Sequence, residues 1–285
     1  MKNNEIHIRD PYILVHEGKY YMYGTRGPTG WGLADGFDVY CGYDLENWDG
    51  PHEVFHAPPG FWADRNYWAP EVHEYCGKYY MLASFKAEGV CRGTQILKAD
   101  SPLGPFMPWS DGPVTPGDWE CLDGTLYVEN GTPYMVFCHE WVQIKDGAIC
   151  SVMLSGDLKQ AVGEPKTLFN ASEAPWCKSH NDSADYVTDG PFMYISESGE
   201  LLMIWSSFSN GGYTMAASRS STGSLNSKYT HDVTPIFKKD GGHGMIFKGL
   251  DGKLYITLHT PNNTPEERPR FYNLLDKNGI LSIRP

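Results

Sequence analysis

Apolar and polar positions alternate along this chain in short runs, and the runs come in pairs separated by glycine-containing turns. Alternation of this kind marks a half-buried β-strand, and two such strands across a tight turn read as a β-hairpin. One hairpin pattern recurs five times: RDPYILVHEGKYYMYGT from Arg9, WAPEVHEYCGKYYMLASF from Trp68, LDGTLYVENGTPYMVF from Leu122, TDGPFMYISESGELLMIWSSF from Thr188 and GHGMIFKGLDGKLYITLHT from Gly242. A small or polar anchor opens the first strand of each, at Asp10, Ala69, Asp123, Asp189 and His243. Turn glycines lie eight residues past the first three anchors, at Gly18, Gly77 and Gly131, while Gly199 lies ten past and Gly252 nine past.

Weaker strand pairs follow the first four hairpins, in FDVYCGYDLENW from Phe37, TQILKADSPLGPF from Thr94, AICSVMLSGDLK from Ala148 and YTMAASRSSTGSL from Tyr213. Four strands per unit, repeated every ~55 to 65 residues, is the signature of a blade in a radial array. The pattern therefore predicts an all-β fold: a five-bladed β-propeller of four-stranded antiparallel blades around a central funnel, as one domain over residues 1–285. The innermost strand of a blade starts near the axis, so the five anchors should converge at one end. The returning strands would carry Ser84, Phe85, Glu140, Trp141, Trp205 and His259 toward the same rim.

Composition agrees with many short strands, since 31 Gly and 20 Pro punctuate a chain that is 14% aromatic and 20% charged. A net charge of −12 repels phosphate backbones and anionic lipid, so the expected partner is a neutral ligand and not nucleic acid or a membrane. No run approaches the roughly 20 apolar residues of a membrane span, and the opening MKNNEIHIRD lacks an apolar signal core. These features predict a cytoplasmic location for the chain as it stands, or a secreted one if a leader has been removed. Seven scattered cysteines without metal-binding spacing read as reduced, buried residues. Oligomeric state is not legible.

Three carboxylates and a histidine brought to one axis resist joint desolvation and push one another's proton affinities apart. Glycoside hydrolysis uses such a separation, with one carboxylate ionised as base or nucleophile and another protonated to donate to the leaving oxygen. Asp10, Asp123 and Asp189 are therefore the candidate catalytic residues. His243, between two glycines, is expected to face the axial channel. No cofactor is required, but a structural Ca²⁺ or other ion could sit beside His243, held through water because a lone nitrogen suits calcium poorly. Trp68, beside an anchor, is the leading platform for a sugar ring.

RDPYIL at Asp10, DLENW at Asp44, WAPEVH at Trp68, ADSPLGPF at Ala99, LDGTLY at Asp123, TDGPFMY at Asp189, GHGMIF at His243 and ERPRF at Arg268, taken in this order, resemble glycoside hydrolase family 43. The resemblance implies that Asp10 is the general base that activates water for inversion. It implies that Asp123 tunes the acid and orients the sugar, and that Asp189 stands where the family usually has its general-acid glutamate. Aspartate is one methylene shorter, which would set its carboxyl roughly 1.5 Å back on an unchanged backbone. Glu140 is the alternative proton donor, and Glu71, Glu140, Trp68, Trp205 and Arg268 form the expected substrate-binding set. The loops around the funnel decide between exo- and endo-cleavage; a cytoplasmic location would favour exo-action on small imported oligosaccharides of plant type. Release of terminal α-L-arabinofuranose is favoured because no C-terminal sandwich follows the fifth blade. A β-D-xylosidase, an endo-arabinanase and a β-galactofuranosidase are the enzymatic alternatives. A carbohydrate-binding propeller without a competent acid is the non-enzymatic one.

Overall fold

The computed structural model describes residues 1–181 and 183–284; Asp182 and Pro285 lie outside the described residues. The chain forms five four-stranded antiparallel sheets, each built from four consecutive strands. Blade 1 holds β1 (Ile8–His16), β2 (Lys19–Arg26), β3 (Gly36–Gly42) and β4 (Asp49–His56). Blade 2 holds β5 (Arg65–Tyr75), β6 (Lys78–Ala87), β7 (Val90–Ala99) and β8 (Met107–Pro113). Blade 3 comprises β9 (Cys121–Glu129), β10 (Thr132–His139), β11 (Ala148–Met153) and β12 (Lys166–Asn170), with a single helical turn, α1 (Trp141–Ile144), after β10. Strands β13 (Asp189–Ile195), β14 (Leu201–Ser209), β15 (Gly212–Ser220) and β16 (Tyr229–His231) make blade 4. Blade 5 is β17 (Ile246–Lys248), β18 (Leu254–Thr260), β19 (Arg268–Lys277) and β20 (Ile280–Ile283). This is the five-bladed propeller that the hairpin repeat predicts.

No blade borrows a strand from the far end of the chain. Side chains and the N-terminal segment join blade 5 to blade 1 instead. The Arg9 guanidinium donates to the backbone carbonyl and side-chain oxygen of Asn262, at 3.1 and 2.5 Å, and the Leu250 N–H donates to the Tyr20 hydroxyl at 2.7 Å. Aromatic packing fills the wedges between blades, with Phe37, Phe55, Tyr67 and Phe85 forming one closed cluster between blades 1 and 2.

The repeat has a backbone signature that the residue pattern hides. Asp10, Ala69, Asp123, Gly190 and His243 share the left-handed conformation, with φ of 54°, 46°, 56°, 51° and 47°. Side chains make that region costly, by roughly 1–2 kcal/mol for a residue other than glycine, so four such residues need a local reason. In each case the twisted backbone aims its N–H at the neighbouring blade. Ala69 donates to Thr25 Oγ1 at 2.8 Å, Asp123 to Ser84 Oγ at 2.9 Å, His243 to Ser206 Oγ at 2.9 Å and Asp10 to His259 Nδ1 at 3.2 Å. In blade 4 the Gly190 N–H meets Asp123 Oδ2 at 3.0 Å, because the matching position in blade 3 is Cys138.

The blade 4 anchor is therefore Gly190, one residue later than the sequence pattern places it. Strand pairing agrees: Arg9 with Thr25, Trp68 with Ser84, Leu122 with Cys138 and Asp189 with Ser206 are equivalent pairs. Counted from Gly190, the turn glycine Gly199 lies nine residues on, as Gly252 does from His243.

The same one-residue offset corrects Trp205. Successive strand side chains point to opposite faces, so the residue turned to the axis is Ser206 and not Trp205. The indole is 0% exposed, packs against Phe169 and Trp176, and donates to Ser218 Oγ at 2.8 Å. It is core and does not touch the pocket. Trp205→Ala is expected to cost about 3–5 kcal/mol of stability while leaving the KM of the folded enzyme unchanged. Chemical denaturation alongside initial-rate kinetics checks both.

Candidate active site

At the axis the first strands contribute leading residues from two adjacent positions. Asp10, Asp123 and His243 line the pocket from the left-handed positions. Arg9, Trp68, Leu122 and Asp189 line it from one residue earlier in their blades. Thr25, Trp31 and Tyr213 complete a pocket of about 80 Å³. The structure thus brings Asp10, Trp68, Asp123, Asp189 and His243 together, one from each of the five blades. Asp189 differs from the other two carboxylates in standing one residue before the left-handed position of its blade.

Each carboxylate is held differently. Asp10 Oδ2 accepts from the Thr25 hydroxyl at 2.6 Å, and that hydroxyl also accepts the Ala69 N–H. Blade 2, whose anchor has no acid, thereby orients the acid of blade 1. Asp10 Oδ1 lies 3.2 Å from His243 Nδ1, which is also 3.6 Å from Asp123 Oδ2. Beneath Asp10, His259 accepts the Asp10 N–H at Nδ1, so its proton sits on Nε2 and faces Asn262 Oδ1 at 3.1 Å. Burial, with Arg9 nearby, lowers that imidazole to about 4, so it is neutral near pH 7. Asp189 Oδ2 accepts from the Tyr213 hydroxyl at 2.9 Å.

These settings divide the proton affinities. Burial alone would raise Asp10, but His243, His259, Arg9 and the Thr25 hydroxyl outweigh it and hold the group below the ordinary aspartate value. Burial pushes Asp123 well up, and the neighbouring Asp10 charge adds to the shift. Burial, then Asp123, carries Asp189 up to about 7. Tyr213 is itself raised by burial and stays a hydroxyl donor. With Oδ2 accepting from that donor, Oδ1 is the oxygen of Asp189 left free to carry a proton. Asp10, held low, and Asp123 and Asp189, both pushed up, face the same small pocket.

Other sequence-derived candidates lie elsewhere. Glu140 is buried in an ion pair with Arg92, Oε1 to Nε at 2.6 Å, and does not line the pocket. It acts at one remove: the Arg92 guanidinium stacks 3.7 Å from the centre of the Trp68 ring, fixing that indole from behind. Glu71 pairs with His73 Nε2 at 2.9 Å, also outside the pocket lining. Arg268 does not reach the pocket. It donates to the backbone carbonyls of Asn4, Pro265 and Glu267 and so latches the N-terminal segment to blade 5.

The pocket arginine is Arg9, from the same RDP triplet as Asp10. Thr25 and Tyr213 escaped the sequence reading, whereas His259 stands beside Asp10 at the end of a returning strand, as expected of it. Thr25 was detectable in principle, since it too sits where a second strand returns opposite an anchor. Tyr213 comes from a third strand, and no repeat position marks it. The aromatic edge is built by Trp31, 59% exposed, from the loop after β2. Its indole donates to Thr264 Oγ1 at 2.9 Å, meets Trp68 edge-on at 5.2 Å and lies over the Arg9 guanidinium.

Taken together, the five-bladed ring and its divided carboxylates define a propeller glycoside hydrolase. The sequence profile described as Glycosyl hydrolases family 43 matches residues 5–280. The chain belongs to this family. A crystal structure of an endo-arabinase from Bacteroides thetaiotaomicron VPI-5482 superposes with a TM-score of 0.91 at 38% identity, covering 98% of each chain. An extracellular exo-α-(1→5)-L-arabinofuranosidase of Cellvibrio japonicus is 22% identical over 294 residues, 90% of this chain and 79% of that protein. An extracellular endo-α-(1→5)-L-arabinanase of Bacillus subtilis is 26% identical over 164 residues, 50% of this chain and 46% of that protein.

Proposed function

We propose that this enzyme releases terminal α-L-arabinofuranose from arabinose-containing oligosaccharides with inversion at the anomeric carbon. The observation that carries the chemistry is the opposed proton affinity of Asp10 and Asp189 across one pocket. Asp10, ionised and oriented by Thr25, is the base that takes a proton from the attacking water. Asp189 gives its Oδ1 proton to the departing glycosidic oxygen as the bond to the anomeric carbon breaks. Asp123, bonded to the Gly190 N–H beside the acid, keeps the affinity of Asp189 high. Trp68 supplies an apolar face for the ring and Arg9 a fixed cation for its hydroxyls.

Exo-action is supported by the Trp31 loop. It ties blade 1 to Thr264 of blade 5 and, through a bond from the Trp68 indole to the Gly30 carbonyl, to blade 2. A strap across blades 5, 1 and 2 supports a reading in which a single terminal residue occupies the pocket. Endo-cleavage is the second reading, favoured by the named activity of the 38% identical relative. Debranched arabinan separates the two. Arabinose as the sole early product, appearing as the inverted anomer by NMR, is the expected result; arabinotriose and longer products at the first time points would overturn exo-action.

A Ca²⁺ beside His243 would be held through water, since His243 Nδ1 already faces Asp10 and Asp123 and no step above is routed through an ion. Among the described residues no helix is long and apolar enough to cross a membrane. Seven free cysteines fit action inside the cell, whereas two relatives carry "extracellular" in their names. Activity assayed in separated cell and medium fractions decides the location.

A further inference from the structure

The pocket has one side on which aromatic rings lead outward. Tyr213, whose hydroxyl holds the acid Asp189, packs against Phe208 with ring centroids 5.4 Å apart. Phe208 meets His180 at 4.4 Å, and His180 meets Trp141 at 5.8 Å. Tyr213 is buried, Phe208 and Trp141 are half-buried, and His180 between them is exposed. Three separate elements contribute, namely the end of β14, the loop before β13 and the turn α1. Each is tied to the next by backbone bonds. The Lys178 N–H donates to the Phe208 carbonyl at 2.8 Å, the His180 N–H to the Asp185 carbonyl at 2.7 Å, and the Tyr186 N–H to the Lys145 carbonyl at 2.9 Å.

We infer that Phe208, His180 and Trp141 form a leaving-group track that binds the remainder of a linear oligosaccharide as it emerges from the pocket. This rests on the glycosidase reading of the site and extends it to substrate length. A general acid must touch the glycosidic oxygen, so the sugar beyond the scissile bond starts at Asp189 and its partner Tyr213. Trp31 bridges blades 1 and 5 through its bond to Thr264, while the rings of Phe208, His180 and Trp141, from blades 3 and 4, lie at intervals comparable with a sugar ring. Neutral pyranose or furanose units, with apolar faces and hydroxyl edges, suit such a surface better than a charged ligand does. Binding energy gained there, remote from the reacting carbon, can be used to place the scissile bond.

The test is a length series: kcat/KM for a 4-nitrophenyl α-L-arabinofuranoside and for α-1,5-arabino-oligosaccharides of two to six units. The wild type is expected to gain with each added unit up to four or five. Trp141→Ala and His180→Ala should each lower the ratio of kcat/KM on the pentasaccharide to that on the aryl glycoside by roughly three- to tenfold. Val142→Ala, an exposed change on the same helical turn, should keep the wild-type ratio. A wild type indifferent to length, or variants that keep its length dependence, would overturn the track and leave the pentosidase reading standing. If only xylo-oligosaccharides are cleaved, the arabinose reading fails, and the same ratios on that series support or overturn the track. An Asp10→Asn protein that binds neither series by calorimetry overturns both.

Discussion

Asp10→Asn is expected to reduce kcat on aryl α-L-arabinofuranosides by about 10²- to 10⁴-fold in a protein that folds as the wild type does. The asparagine oxygen can still accept from Thr25 Oγ1, and the backbone N–H can still reach His259, so the geometry around the axis survives. What is lost is the ionised oxygen that takes the proton of water. The residue is buried against His243, His259 and Arg9, so no bulk base can replace it in place. Loss should fall equally on substrates with good and poor leaving groups, because water attack needs the base whatever departs. Retention of more than about a tenth of the wild-type rate would remove Asp10 from that role. Unchanged circular dichroism and thermal midpoint would show that the loss is chemical.

Asp189→Asn should show the opposite selectivity. A 2,4-dinitrophenolate leaves without protonation, so activity on that glycoside should fall only a few-fold, whereas arabinobiose hydrolysis should fall by about 10²- to 10⁴-fold. The pH profile supplies a second readout. The free wild-type enzyme needs Asp10 ionised, which holds down to pH values below the ordinary aspartate range, and Asp189 protonated, which holds up to about 7. Its kcat/KM should therefore fall as pH rises past about 7, and in Asp189→Asn that alkaline limb should vanish. Asp123→Asn, by removing a neighbour that raises the acid, should move the limb to lower pH. Equal losses on both glycosides would move the proton donor elsewhere, with Glu140 weakened as a substitute because it is bound to Arg92 outside the pocket.

Stability should respond to the same substitution. Between the ordinary value of 3.8 and about 7, folded Asp189 keeps a proton that the unfolded chain has released. Wild-type stability therefore loses this contribution as pH rises across that window, and the full penalty remains above it. Asp189→Asn removes the ionisable group. Its thermal midpoint should exceed that of the wild type at pH 8 by more than at pH 4, which separates a buried, raised carboxylate from a surface one.

The hairpin repeat was legible because each blade must solve the same local problem: two alternating strands, a tight turn and a leading residue at the axis. That periodicity survives in the residues, so five blades and the axial positions of Asp10, Asp123 and Trp68 could be read from the chain. Blade 4 shows the limit. TDGP and LDGT look alike, yet the left-handed residue is Gly190 in one and Asp123 in the other. Glycine adopts that conformation without a side-chain penalty, so the pattern of letters does not mark which of two adjacent residues takes it. The backbone N–H bond to the next blade does.

From that single offset follow both the burial of Trp205 and the entry of Asp189 into the pocket from one residue before the left-handed position. Arg268 and Arg9 diverge for a related reason. A long cationic side chain near the site can serve carbonyls or carboxylates equally well, and only the closing of blade 5 on blade 1 assigns Arg268 to the carbonyl of Asn4 and Arg9 to Asn262. The sequence by itself determined the number of blades and the presence of three axial acids, because both are encoded in local, repeated patterns. The tertiary structure alone decided which acid is ionised and which keeps its proton. Proton affinity depends on burial and on charges from four different blades, and no stretch of the chain contains those neighbours together.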